Sequence, residues 1–363
     1  MMASLFLKRC YLDHDVMYFH SQVIAKNEAL LKRGHWGASM EKIIVFRPGA
    51  LGDTLLAFPA LAALRRAFPG AWLGAVGNAP ALALARAAGL ADEAMPFDLP
   101  CWAELFAEEG MRSVEARQML NGAKLAVVWL RDPDGLAARN LRASGISLVA
   151  SAPGRPPEGV RVHAADYLLA TLAPVIGDLA LAPASMPALT PSAEDCAWAE
   201  TEWARRGLLD APGLVLHPGS GGRAKCWPPE RFAALAGRFI AAGWRVLVIE
   251  GPADSLAALQ TLALLPTDAA QSAAGLSLPQ LAALLARATL FIGNDSGVSH
   301  LSALLGTPTL ALFGPTDPAI WAPRGPRVRV VWRGPAAPGA LVLPPMAALS
   351  VDEVYEAAQA LLA

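Results

Sequence analysis

Twice along this 363-residue chain, apolar strand signals alternate with amphipathic helix signals, first from residue 42 and again from Gly213. That alternation limits the fold more than any other feature. Strand–helix–strand units of this length close as parallel pairs, with the helices covering the faces of the sheet. In the first half the strand candidates are 42–47, 71–76, 93–97, 124–129 and 146–149. A helix from Thr54 to Ala67 joins the first two, and Ala164–Val175 forms another between Pro-rich segments at 152–157 and 183–191. In the second half Leu214–His217, Trp244–Ile249, Thr289–Ile292 and Thr309–Phe313 read as strands. Helices are expected at Ala193–Arg206, Pro229–Ala242, Ala253–Leu264 and Leu278–Arg287. Pro229 in the first turn and Gly243 just past the end follow the usual helix asymmetry, and Ser277 with Gln280 has capping-box spacing. The expectation is an α/β protein of two doubly wound, Rossmann-like domains with a ligand cleft between them.

Residues 1–39 lack this pattern and read as an N-terminal extension, with two readings open: a segment upstream of a start near Met40, which is favoured, or an ordered arm packed on the domain. The domains are then 40–190 and 191–349, followed by a C-terminal amphipathic helix at 350–363 that is free to cross back to the first domain. With 54% hydrophobic and 17% charged residues, the chain can bury a large core, which excludes general disorder. Charge is balanced at 30 basic against 31 acidic residues, and neither half is basic, so nucleic acid is not an expected partner. Cys10, Cys101, Cys196 and Cys226 are scattered without a C-x-x-C pair, and Cys10 with His14 and His20 matches no familiar ligand spacing. No metal site or disulfide framework is expected, and a reducing cytoplasmic compartment fits. No run of about 18 uncharged apolar residues suggests a spanning helix, and the N-terminus does not read as a signal peptide.

Three strand-to-helix loops carry the chemistry. The first is Arg47-Pro-Gly49-Ala-Leu-Gly52-Asp53-Thr. It lacks G-x-G-x-x-G and G-K-[ST], so it is neither a dinucleotide fingerprint nor a triphosphate P-loop. Asp53 reads either as an N-cap or as a carboxylate able to accept a proton. The second is His217-Pro-Gly-Ser220-Gly-Gly-Arg-Ala-Lys225-Cys-Trp227-Pro. Ser220 and the glycine-rich backbone can donate to phosphate oxygens, and Lys225 adds a flexible cation. Trp227 reads as an anchor for the loop. The third is Gly293-Asn-Asp295-Ser296-Gly297-Val-Ser-His300, opening a helix whose N-terminus suits a second phosphate. His300 reads equally as a packed residue or a ligand. Glu250 and Asp254, after the strand Trp244–Ile249, are carboxylates of the kind that grip ribose hydroxyls. A Ser-His-Asp triad is disfavoured because no G-x-S-x-G elbow is present.

Three segments, R-P-G-A-L-G-D-T-L-L-A-F-P-A-L at 47–61, H-P-G-S-G-G-R-A-K-C-W-P-P-E-R-F at 217–232 and G-N-D-S-G-V-S-H-L-S-A-L-L-G-T-P-T-L-A-L-F-G-P-T-D-P at 293–318, resemble glycosyltransferase family 9, the lipopolysaccharide heptosyltransferase family. The resemblance spans about 41–362 and implies a GT-B fold, with the acceptor bound mainly by the first domain and the nucleotide sugar by the second. It implies inverting, metal-independent transfer of heptose from ADP-heptose, as a co-substrate without a cofactor, to a lipopolysaccharide-core or related glycan acceptor, lipid-linked or not. By resemblance Asp53 matches the catalytic base and Lys225 the lysine at the donor phosphates. Asp295, Ser296, Gly297 and His300 match the D-[ST]-G-x-x-H donor motif, and Asp254 falls near an acidic ribose position. Arg47, Gly49 and Gly52 form the acceptor-side loop. A lipid-anchored acceptor implies peripheral contact with the inner face of the cytoplasmic membrane. Pro48-Gly49-Ala50 departs from the polar residues several relatives carry there. The alternatives are another nucleotide sugar or acceptor, a GT-B nucleotide-sugar epimerase that needs no acceptor, and a non-catalytic sugar-nucleotide binder. A dinucleotide oxidoreductase is disfavoured by the missing glycine fingerprint.

Overall fold

A computed structural model describes residues 40–180, 183–251, 255–334 and 345–363, so the expected extension at 1–39 lies outside the described residues. Among them the chain forms two compact units. One takes the chain up to Gly49 together with Leu56–Ser185, and the other takes Ala50–Leu55 together with Met186–Ala363. The Asp53 segment therefore packs with the unit that carries the other two motifs.

The first unit holds a five-stranded parallel sheet of β1 Lys42–Arg47, β2 Trp72–Gly77, β3 Glu93–Pro96, β4 Leu125–Trp129 and β5 Leu148–Ala152. Its order is β3-β2-β1-β4-β5, with Ile44 opposite Gly74 on one side and Ala126 on the other. Ile43–Phe46 of β1 and the whole of β4 are apolar and buried because helices cover both faces. Ile44, Phe46 and Val128 share a core with Trp102, whose ring meets Phe46 edge-on at 5.2 Å. The Trp102 indole donates to the Pro96 carbonyl at 3.0 Å, so the buried ring keeps its polar atom satisfied.

One helix was expected over Thr54–Ala67; the structure has two, Leu51–Leu55 and Phe58–Ala67. Pro59 explains the break. It has no N–H to return to the preceding turn, and its ring crowds the carbonyl four residues back, but both faults are tolerated in a first turn. The second helix therefore starts at Phe58.

The second unit holds a six-stranded parallel sheet of β6 Gly213–His217, β7 Arg245–Ile249, β8 Ala270–Ala273, β9 Leu290–Asn294, β10 Thr309–Phe313 and β11 Val328–Trp332. Its order is β11-β10-β9-β6-β7-β8, so β8 and β11, which the sequence pattern did not single out, form its edges. Trp227, Phe232 and Phe239 fill the core beneath it. Burying each such side chain contributes roughly 1.5–3 kcal/mol relative to exposure. The C-terminal helix Val351–Leu362 is capped by Ser350, which accepts from the Glu353 N–H at 3.2 Å. It packs on the helix Pro229–Ala241 and on β10 and β11, with Tyr355 against Phe239.

In each sheet the chain leaves a central strand to build one side and returns to build the other. The switch points lie between β1 and β4 and between β6 and β9. In parallel α/β sheets, ligands bind outside the carboxyl ends of the strands at such points. Among the described residues no helix is long and apolar enough to cross a membrane.

Candidate functional site

The loops that follow β6 and β9 meet at the switch point of the second sheet, and a buried asparagine joins them. Asn294, fully buried at the end of β9, donates through Nδ2 to the carbonyls of Pro218 at 2.7 Å and Gly219 at 3.2 Å. Its Oδ1 accepts from the Trp227 N–H at 3.0 Å. Both ends of the glycine-rich loop are thus tied to one amide. Trp227 is the loop's anchor: its ring is fully buried and its indole donates to the Leu349 carbonyl at 3.0 Å. Ser220 adds a further tie, its hydroxyl donating to the Asp295 carbonyl at 2.7 Å. The hydroxyl expected to face phosphate holds the two loops together in this structure.

Between these anchors a tight turn, Arg223–Lys225, presents the lysine. Lys225 Nζ lies 2.7 Å from Asp295 Oδ2, and the same oxygen accepts from Thr316 Oγ1 at 2.7 Å. Asp295 itself is fixed through its N–H, which donates to the Leu312 carbonyl of β10 at 2.9 Å. Ser296 is extended and precedes the helix Gly297–Leu304; its Oγ lies 3.3 Å from His217 Nδ1. Ser299 donates back to the Asn294 carbonyl at 2.6 Å, bracing the first turn.

The Asp53 segment packs against that helix. A Cβ placed on Gly297 would stand 2.7 Å from the Gly52 nitrogen and 2.7 Å from Leu51 Cβ. Real Cβ atoms do not come so close to backbone, so glycine at 297 permits this approach. Of the two readings of Asp53, the N-cap does not hold: it is the third residue of Leu51–Leu55, and its Oδ2 accepts from the Ala50 N–H at 3.1 Å. That is the acidic half of a capping box, in which a side chain one turn inside reaches back to the cap.

His300 lies on the first turn of Gly297–Leu304, 5% exposed, with no hydrogen-bond partner on Nδ1 among the described residues. Burial lowers its pKa to about 4 against the opposing pull of Asp295 and Asp53, with Lys225 adding to the lowering. The imidazole is neutral at pH 7.

Glu250 directly follows β7, which pairs with β6, and its N–H donates to the Ala273 carbonyl at 2.9 Å. It therefore shares the carboxyl edge with the two loops. Asp254 lies outside the described residues. In the first unit Arg47 ends β1 with its side chain buried, and its Nη1 donates to the Pro48 carbonyl at 2.9 Å. Gly49 is tied by its carbonyl to Asn78 Nδ2 at 3.3 Å. Motif reading passed over Asn294 and Thr316. Both stand within a quoted motif segment, but their partners are 67–76 and 21 residues away and become visible only once the strand order is known.

Chemically, the second unit gathers a cation, a buried carboxylate, a glycine-rich loop and a helix N-terminus at one strand edge. Such a set suits a diphosphate, whose charge Lys225 and the N–H groups can share. Among the described residues no three His, Cys, Asp or Glu side chains are grouped to hold a metal ion.

Residues 166–339 match the model of glycosyltransferase family 9 (heptosyltransferase). The chain is similar to lipopolysaccharide heptosyltransferase 3 of Escherichia coli K12, 35% identical over 150 residues, which is 39% of this chain and 42% of that protein. It is also similar to lipopolysaccharide heptosyltransferase 1 of Pseudomonas aeruginosa, 37% identical over 115 residues and 30% of each chain. The aligned stretches thus span less than half the length of these relatives. Two solved structures share the fold over nearly their whole length. The E. coli ADP-heptose lipopolysaccharide heptosyltransferase II has a TM-score of 0.72 at 22% identity, covering 88% of this chain and 98% of its own. A family 9 glycosyltransferase from Veillonella parvula has a TM-score of 0.75 at 21% identity, covering 91% and 99%. The architecture is the two-domain GT-B fold.

Proposed function

We propose, from the premise that this chain belongs to glycosyltransferase family 9, that it transfers heptose from ADP-heptose to a lipopolysaccharide-core or related lipid-linked glycan. The observation that carries the reading is the Lys225–Asp295 pair, held between the glycine-rich loop and the N-terminus of Gly297–Leu304. These elements supply a diphosphate site without calling on a divalent cation.

Transfer on this reading is a single displacement with inversion. Asp53 takes the proton of the acceptor hydroxyl, and the hydroxyl oxygen forms a bond to the anomeric carbon from the face opposite the nucleotide. The bond from that carbon to the diphosphate oxygen breaks, and its electron pair stays on the diphosphate. Lys225 and the first N–H groups of Gly297–Leu304 stabilise the charge that develops there. Glu250 stands at the same strand edge as a partner for ribose hydroxyls, and neutral His300 lines the first turn. Arg47 and Gly49 belong to the acceptor-side loop. An acceptor anchored in lipid would hold the enzyme at the cytoplasmic face of the inner membrane.

The test is direct. Purified protein is incubated with ADP-heptose and a core glycan lacking its terminal heptose, with and without EDTA. The reading expects a product heavier by one heptosyl group, an inverted anomeric centre, and EDTA-insensitive turnover. Retained configuration would contradict single displacement, and release of free sugar without any acceptor product would contradict transfer.

A further inference from the structure

We infer that Thr316 is a positioning residue of the donor site, which holds the Asp295 carboxylate in place while Lys225 changes partners. The inference rests on the proposed role of Lys225 at the diphosphate. Thr316 Oγ1 and Lys225 Nζ bind the same oxygen, Asp295 Oδ2, each at 2.7 Å. Their situations differ. The lysine is 35% exposed on a flexible stem, whereas the aspartate is 8% exposed. An ammonium that turns toward a diphosphate leaves a nearly buried carboxylate behind. Such a charge is costly unless hydrogen bonds remain on it.

Thr316 can supply the remaining bond because its turn is fixed on both sides. Upstream, a Cβ on Gly314 would stand 2.6 Å from Met346 Sδ, so the chain passes close against the buried Met346 side chain there. The Gly314 carbonyl is also held by the Trp332 indole at 3.1 Å. Downstream, Asp317 caps the short helix Pro318–Trp321 by accepting from the Ala319 N–H at 2.9 Å. Threonine's branched Cβ restricts its own rotation as well. The hydroxyl is therefore delivered from a rigid loop to a carboxylate that shares its other partner with the ligand.

The experiment measures ADP binding by titration calorimetry, and donor KM and kcat, for the wild type, Thr316→Val, Thr316→Ser, Asp295→Asn and the double variants. Valine keeps the shape and removes the donor; serine keeps the donor. Thr316→Val is expected to weaken ADP binding and raise donor KM roughly tenfold, as for loss of a hydrogen bond to a charged group, with kcat at saturation less affected. Thr316→Ser is expected to bind ADP as the wild type does. In the Asp295→Asn background, Thr316→Val is expected to add no further loss, since coupled residues fail to add. If valine binds ADP as well as threonine, or its loss is undiminished beside Asp295→Asn, the inference is overturned. Should the valine variant not fold, Thr316→Ala in the same cycle gives the same decision. Failure of the underlying functional reading shows separately, as a wild type that neither binds ADP nor transfers heptose.

Discussion

Lys225 and Asp295 face each other at 2.7 Å across two loops that are 70 residues apart in the chain and adjacent in the sheet. The pair sets the charge of the proposed donor site. With no ligand, the lysine neutralises a nearly buried acid; with a diphosphate, it has a second anion to serve. Lys225→Ala is expected to weaken ADP binding by about 10- to 100-fold, the span for a hydrogen bond between charged groups, and to lower turnover as well. Calorimetry and steady-state kinetics check both. Unchanged ADP affinity would remove Lys225 from the phosphates.

Gly297 is expected to tolerate no side chain. The Cβ of Gly297→Ala would press on the Gly52 nitrogen and Leu51 Cβ at 2.7 Å, and the Asp53 turn would have to shift. A displacement on the order of 1 Å in a reacting group can cost about 100-fold in rate. The variant should therefore keep its circular dichroism spectrum and lose most of its turnover. Wild-type turnover would mean that the close approach has no catalytic consequence.

Asn294 ties the glycine-rich loop at both ends, and a carboxylate at that position cannot donate. Asn294→Asp would place oxygens against the Pro218 and Gly219 carbonyls at a fully buried site. Leaving buried acceptors unpaired costs roughly 1–3 kcal/mol each. The variant should unfold at lower denaturant and bind ADP more weakly. Stability equal to the wild type would contradict this reading of the loop.

His300 gives the protein a pH dependence of known sign. Its folded pKa of about 4 lies below the ordinary value of 6.5. Between those values the unfolded chain binds more protons than the folded one, so stability rises with pH. The contribution is whole above about pH 6.5 and is lost as pH falls through 4, up to about 3 kcal/mol in all. The His300→Gln variant has no imidazole to protonate. Urea unfolding from pH 7 to pH 4 should therefore show a steeper loss for the wild type than for the variant. Parallel curves would contradict the depressed pKa.

Much of the fold was legible because the signals are local. The helix Leu278–Arg287 has the expected bounds, and Ser277 and Gln280 exchange both capping-box bonds. The apolar runs of β1, β4, β6 and β10 show through because strands buried on both faces cannot be polar. What was not legible depends on neighbours. Ala270–Ala273 has no β-branched or aromatic residue and is a strand only because it pairs with β7. The expected helix opens at Thr54, just after Asp53, yet the helix begins at Leu51. At the site, the residue types stood in the motifs, but the ties did not. The sheet order β10-β9-β6 is what brings Thr316, Asp295 and Lys225 to one oxygen.

Asp53 is the expected base, and Asp53→Asn keeps the acceptor for the Ala50 N–H while removing the proton-accepting carboxylate. A positioned general base is typically worth about 10² to 10⁴ in rate. The variant should lose most turnover and bind ADP as the wild type does. Near-normal turnover would rule out this assignment.

The most direct measurement of the central claim is calorimetric titration of the wild-type protein with ADP, UDP and GDP in turn, with and without EDTA. The account predicts selective binding of ADP that EDTA leaves unchanged. Preference for UDP or GDP, or no binding of ADP at millimolar concentration, would contradict an ADP-heptose donor at the Lys225–Asp295 site.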